Sequence, residues 1–189
     1  MKRAFDIFFA IILIVILLPL FLLVSLLVKS SSKGSIFFTQ DRIGRDLKIF
    51  KMYKFRTMIM GADKAGPYFT KKNDVRITKI GKFLRITSID ELPQIFNVML
   101  GDMSFVGPRP NVAAQEKQYN KKDWIEIHRV LPGITGLAQI NGRSNSTQEQ
   151  QLADNLEYVR NHNFFLDIKI IIKTGLQLFS VFFNKANIN

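Results

Sequence analysis

The stretch AFDIFFAIILIVILLPLFLLVSLLV, residues 4–28, carries a single charge, Asp6, and is longer than the roughly 20 apolar residues with which a helix crosses a bilayer. A water-exposed fold has no place for such a run, so the reading begins with a membrane segment, residues 1–33, followed by a globular domain, residues 34–189. The run is also longer than a signal-peptide core, and no small-residue cleavage site follows it, so it reads as retained. Lys2 and Arg3 precede it and Lys29 and Lys33 follow it. Cations at both ends draw both ends to the cytoplasm. Pro19 inside the run removes one backbone donor. Two topologies stay open on these residues: a helix–break–helix that enters and leaves by one face, and a kinked helix that spans.

Working outward, 189 residues of which 47% are hydrophobic allow one domain of ordinary size beside that segment. Lys and Arg outnumber Asp and Glu 27 to 15, a net charge of +12, which attracts nucleic acid, anionic headgroups or phosphorylated small molecules without choosing among them. The chain has no cysteine, which excludes disulfides, zinc thiolates and thiol catalysis. His128 and His162, its 2 histidines, are too few for a histidine-built metal centre. Neither a GxxxxGK[ST] loop nor a GxGxxG fingerprint is present, so Walker-type and Rossmann-type nucleotide sites are unsupported.

Past Gly34 the pattern turns globular. Residues 35–39 (SIFFT) and 47–53 (LKIFKMY) read as strands joined by a turn over 41–46. Residues 60–76 read as a loop. Between Arg76 and Ile86, Ile77, Ile80 and Leu84 fall at helical spacing, with Lys79 and Lys82 on another face. The segments 101–110 (GDMSFVGPRP) and 132–143 (PGITGLAQINGR) are rich in glycine and proline and read as shaped loops. Residues 163–183 form a strongly apolar helix with Lys169, Lys173 and Gln177 at intervals of four. It suits an interfacial helix on anionic lipid or a core helix with one wet edge.

The most informative hexapeptide is Ser88-Ile-Asp-Glu-Leu-Pro93. As structure alone it is a capping box, with Ser88 at the N-cap, Glu91 three residues on, and Leu92, Ile95, Phe96 and Met99 as the buried stripe. That reading accounts for Ser88 and Glu91 and leaves Asp90, a second carboxylate among cations, to the helix dipole or to chemistry. The cations are Lys54 and Arg56 (KFRTM), Arg85, Arg109 (GPRP) and Arg143 (NGR). A guanidinium between two prolines is a fork held in place, suited to bidentate binding of a diphosphate. Such a site commonly recruits Mg²⁺, and Asp90 or Glu91 offers the hard oxygen it prefers.

In order and spacing, KFRTM, the DELPQ run from Asp90, GDMSFVGPRP, PGITGLAQINGR and the LDIKI run from Leu166 resemble the bacterial sugar transferases known as small monotopic phosphoglycosyl transferases. The resemblance spans nearly the whole chain. It implies a mainly helical α+β fold: a compact membrane-associated domain with a small β-hairpin, an N-terminal re-entrant segment and amphipathic interfacial helices. It implies Asp90 as nucleophile with Glu91 as its partner, and Mg²⁺ as cofactor with Asp90 among its ligands. Lys54, Arg56, Arg85, Arg109 and Arg143 become the expected phosphate or nucleotide contacts. The implied reaction moves a sugar 1-phosphate from a UDP-sugar to polyprenyl (undecaprenyl) phosphate, releases UMP, and passes through a phosphosugar-aspartate. It would take place at the cytoplasmic face of the bacterial inner membrane as the first membrane step of glycoconjugate assembly. The implied partners are donor, lipid acceptor and membrane lipid, with no nucleic acid. Three positions depart from the family pattern: Leu18 before Pro19 where serine is frequent, Leu131 where a basic residue is frequent, and Asn155 where aspartate is frequent. The rival reading is a non-catalytic basic module tethered to the membrane that binds lipid or nucleic acid.

Overall fold

The computed structural model describes residues 2–62, 74–142 and 146–186. The first element is one helix, α1, Lys2–Ser31, with Pro19 inside it. The expected helix–break–helix is thereby corrected to a single helix. Proline deletes one i→i−4 hydrogen bond, and the long apolar sequence on either side keeps the remainder of the ladder. Asp6, Ala10, Phe21, Val24 and Val28 are its buried residues, and their steps of three, four and eleven, each close to whole turns, trace one narrow stripe. Phe8, Val15, Ile16, Leu22 and Leu26 stand exposed around the rest of its circumference.

Both ends of α1 are tied to the same globular body. At the start, Lys2 Nζ pairs with the Asp167 carboxylate and donates to Tyr158 Oη and the Val106 carbonyl, while Arg3 donates to the Met99 carbonyl at 3.0 Å. At the finish, the buried Arg56 guanidinium donates to the carbonyls of Ser32 at 2.7 Å, Lys33 at 2.8 Å and Val28 at 3.2 Å. Val28 supplies one of the orphan carbonyls of the helix C-terminus and Ser32 and Lys33 the two just beyond it, where a cation also meets the favourable end of the dipole. Between the ends, Ala10 joins the main core with Met52, Ile95, Val98, Phe105 and Tyr158. Phe21, Val24 and Val28 form a second core with Phe55 and Leu84.

The expected hairpin is present with both strands starting two residues later than read and the first two residues longer: β1, Phe37–Ile43, pairs antiparallel with β2, Ile49–Phe55, in the register Phe38↔Lys54, Gln40↔Met52, Arg42↔Phe50. The alternation of a strand therefore puts Lys54, Gln40 and Arg42 on one face. The free edge of β2 is closed by a side chain. Asn97, fully buried in α3 (Gln94–Leu100), accepts from Tyr53 N at 3.0 Å and donates to the Lys51 carbonyl at 2.8 Å. It acts as a one-residue strand partner that leaves no open edge there.

The two segments expected to be loops hold a second sheet. β3, Ser104–Val106, and β4, Gly133–Thr135, pair in parallel across α4, Lys121–Ile127. Glycine permits the contact: a Cβ on Gly133 would lie 2.1 Å from Gly107 N, and one on Gly136 would lie 2.2 Å from the Gly107 carbonyl. α5, Leu137–Asn141, and α6, Gln148–Asn161, pack on each other, with α6 also against α4. α7, Phe164–Ala186, buries Asp167 and Ile170, and its Gln177 donates to the Ile140 carbonyl at 2.8 Å. Lys169 and Lys173 remain exposed on α7 beside Phe165, Ile172 and Leu176. Of the polar stripe read from sequence, Gln177 alone turns inward. The loop expected over 60–76 falls mostly on residues 63–73, outside the described residues.

Candidate active site

α2, Lys79–Thr87, begins at Thr78, whose side chain caps Gly81 N. Gly81 is needed where it stands, because a Cβ there would meet the Thr57 carbonyl at 2.0 Å. This contact brings α2 onto the end of β2, where Arg85 Nε donates to Thr57 Oγ1 at 2.8 Å. The helix stops at Ser88, which takes a left-handed conformation at φ 58°, and a 3-10 turn over Ile89–Glu91 leads through Pro93 into α3. The capping box is therefore corrected. Ser88 closes α2 without a side-chain cap on the next turn, and the Glu91 side chain goes elsewhere. Met99, expected in the buried stripe, is exposed, while Asn97 and Val98 are buried.

Glu91 Oε1 accepts from Lys54 Nζ at 2.6 Å and from Arg109 Nη2 at 3.1 Å. Lys54 reaches it from β2, and Arg109 from the loop after β3. Asp90, one residue earlier, is 8% exposed, and its charge is felt most strongly by Lys54, Glu91 and Arg85. The two neighbours are driven apart. Burial pushes the Asp90 carboxyl up to about 6, with the Glu91 charge adding to the rise and Lys54 and Arg85 opposing it. Glu91 is also buried, which on its own would raise it, but Arg109 and Lys54 together outweigh burial and hold it down at about 2. Adjacent titratable groups separated in this way are a mark of functional sites.

A cation that sequence reasoning missed completes the group. Arg42, on the Lys54 face of the hairpin, donates from Nη1 to the Pro110 carbonyl at 2.9 Å and from Nη2 to Gln40 Oε1 at 2.6 Å. Burial pulls this guanidinium down to about 10, the Arg109 charge pulling the same way and Glu91 opposing. Residues 41 and 42 had been read as turn, and no spacing signal marks Arg42 or Gln40.

Of the residues singled out in sequence, the fold brings Lys54, Arg85 and Arg109 to Asp90 and Glu91. Arg56 is not among them, because its guanidinium is spent on the end of α1. Arg143 lies outside the described residues. Among the described residues no three His, Cys, Asp or Glu side chains converge to form a protein-only metal cage. The pair offers what Mg²⁺ most often takes, one or two carboxylates completed by substrate phosphates. Both ion pairs use Oε1 of Glu91, so the donor set fits such an ion. An excess of positive charge around two partly desolvated carboxylates is suited to binding and transferring a phosphorylated group.

The bacterial sugar transferase family profile matches residues 1–181. A UDP-glucose:undecaprenyl-phosphate glucose-1-phosphate transferase of Klebsiella pneumoniae is 42% identical over 98% of this chain and 41% of its own length. A UDP-N-acetylgalactosamine-undecaprenyl-phosphate N-acetylgalactosaminephosphotransferase of Aeromonas hydrophila is 37% identical over 92% of this chain and 42% of its own length. The exopolysaccharide production protein PSS of Rhizobium leguminosarum bv. phaseoli is 42% identical over 92% of both chains. The chain thus spans about two fifths of the length of the first two relatives and nearly all of the third. With its five motifs in order, its carboxylate pair set among cations, and a family match over almost its full length, this chain belongs to the bacterial sugar transferases.

Proposed function

We propose that this protein moves a sugar 1-phosphate from a UDP-sugar to polyprenyl phosphate in two displacements at Asp90. The observation that carries the reading is the divergence of the two carboxylates. Asp90 is desolvated and titrates at about 6, so near neutral pH it is ionised yet more basic than a free aspartate, as an effective nucleophile should be. An Asp90 oxygen attacks the β-phosphorus of the donor. The bond from that phosphorus to the α–β bridging oxygen breaks, and the oxygen leaves with UMP. A phosphate oxygen of the lipid then attacks the same phosphorus, forming the lipid diphosphate and returning Asp90 as a carboxylate. Lys54 and Arg109 hold Glu91 before the donor arrives and turn to the diphosphate when it binds, with Arg85 balancing the charge at Asp90. Asp90 and Glu91 would hold Mg²⁺, which would neutralise charge on the diphosphate.

The membrane arrangement follows from α1. Its cationic ends both attach to one body, so we place both on the cytoplasmic side of the bacterial inner membrane, with the apolar circumference in lipid. α7 lies at the interface, its exposed lysines toward anionic headgroups. The names of the relatives support a UDP-sugar donor and an undecaprenyl phosphate acceptor. The test is nucleotide release from a panel of UDP-sugars with Mg²⁺, with and without undecaprenyl phosphate. UMP release together with a phosphosugar adduct on the Asp90 peptide, seen by mass spectrometry without acceptor, is expected. UDP release would assign transfer of the sugar alone. Binding of anionic vesicles or RNA without turnover would favour a tethered module.

A further inference from the structure

Arg42 is a partly buried cation that forms no ion pair with a carboxylate among the described residues. Its two terminal nitrogens donate to neutral oxygens, the Pro110 carbonyl and the Gln40 amide. Its Nε is buried without a partner. Glu91, the carboxylate it senses, is already bound by Lys54 and Arg109. A guanidinium withdrawn in part from water without a direct ion pair is costly in an isolated protein, because its desolvation is not fully repaid.

Its contacts point instead to the loop that carries Arg109. Pro110 follows Arg109 directly, and its carbonyl is held by Arg42 Nη1. One residue further, Ile43 N donates to the Asn111 carbonyl at 2.9 Å, so β1 holds two successive carbonyls of this loop. Gln40 fixes the other arm of the fork from the same strand face. The proline on either side of Arg109 stiffens the loop, so fixing the carbonyl of Pro110 fixes the origin of the Arg109 side chain. Arg109 is itself half exposed, with a side-chain accessibility of 54%, and has no comparable support from packing.

We infer that Arg42, braced by Gln40, is a positioning residue of the donor site: it holds the Pro110 carbonyl so that Arg109 is presented to the donor diphosphate, and it contributes a charge that only the bound diphosphate balances. The assignment rests on the proposed reaction and deepens it by naming what sets Arg109 in place.

The test uses the full chain in nanodiscs and compares wild type, Arg42→Met, Arg42→Lys, Arg109→Met and the Arg42→Met/Arg109→Met pair. The readouts are donor KM, lipid-acceptor KM and the rise in Tm produced by UDP. Arg42→Met should raise donor KM by about tenfold or more while lipid KM stays put. It should leave the ligand-free Tm level or higher, yet abolish the UDP-induced rise. Arg42→Lys keeps the charge but not the fork and should fall between. In the double variant the Arg42 substitution should add little to Arg109→Met, because one acts through the other. A ligand-free Tm that falls on Arg42→Met with the UDP rise and donor KM intact would make Arg42 a structural strut and overturn the inference. Fully additive losses would overturn the coupling to Arg109. A wild-type protein that neither responds to UDP nor releases UMP overturns the reaction itself, whatever the variants do.

Discussion

The cleft around Glu91 and the outer surface of α1 and α7 are opposite violations of the same rule. In the cleft, Arg42, Lys54 and Asp90 are charges withdrawn from water without full compensation. On the helices, Phe8, Val15, Ile16, Leu26, Phe165 and Leu176 are large apolar side chains left out of the core. The first costs desolvation. The second forgoes about 25 cal/mol for each Å² that burial would bring. Among the described residues neither is fully relieved, and on the proposed reading they take different partners: a polyanion for one region and a bilayer for the other. The two regions should therefore fail independently when altered.

The sharpest break is Asp90→Asn. Turnover should drop on the order of 10⁴-fold or more while the protein still folds and inserts. The stability sign runs the other way. A carboxyl raised from 3.8 to about 6 makes the folded state lose stability as pH climbs through that window, by at most about 3 kcal/mol above it. The asparagine variant should thus melt higher than wild type at pH 7.5 and lose that advantage by pH 4. A variant that is inactive because it is unfolded would not.

On the membrane side, Ile16→Lys places a charge at mid-length of α1 on an exposed position, at a cost of about 3 kcal/mol in lipid. Membrane partition in flotation assays should fall by roughly a hundredfold, while UDP still raises the Tm. Loss of the UDP response would show that the regions are coupled after all. Arg109→Lys should lower kcat/KM by about ten- to a hundredfold with normal extraction, because the charge survives and the fork does not. The mildest test is pH. Below about 6, kcat/KM should fall about tenfold per unit as Asp90 takes up a proton, and Glu91, held at about 2, should add no second limb above pH 4.

Much of this was legible in sequence, and the exceptions share a cause. The apolar run, the hairpin, the one-sided α2 and the carboxylate pair each rest on local periodicity or adjacency. The β3–β4 pair does not. Its strands of 3 residues each lie among glycines and prolines and find one another across α4, so each alone looks like loop. Arg56 sat in the right motif, but its partners are carbonyls more than twenty residues away at the end of α1. The capping-box pattern at Ser88 was satisfied on paper. Lys54 and Arg109 simply offered Glu91 stronger partners than a backbone N–H. Asn97 and Arg42 carry no local signature, since what matters about them is the strand edge and the loop they face.

That α1 is fastened at both ends has a practical corollary for anyone handling this protein. Membrane anchors are often treated as disposable leaders, to be trimmed so that a soluble catalytic fragment remains. Here trimming would remove Ala10 from one core and Phe21, Val24 and Val28 from the other. It would also take Lys2 from the buried Asp167 and the Val28 carbonyl from the buried Arg56. The greasy helix is a wall of the globular body as well as the proposed mooring, so a shortened version should be sought as inclusion bodies rather than in the supernatant.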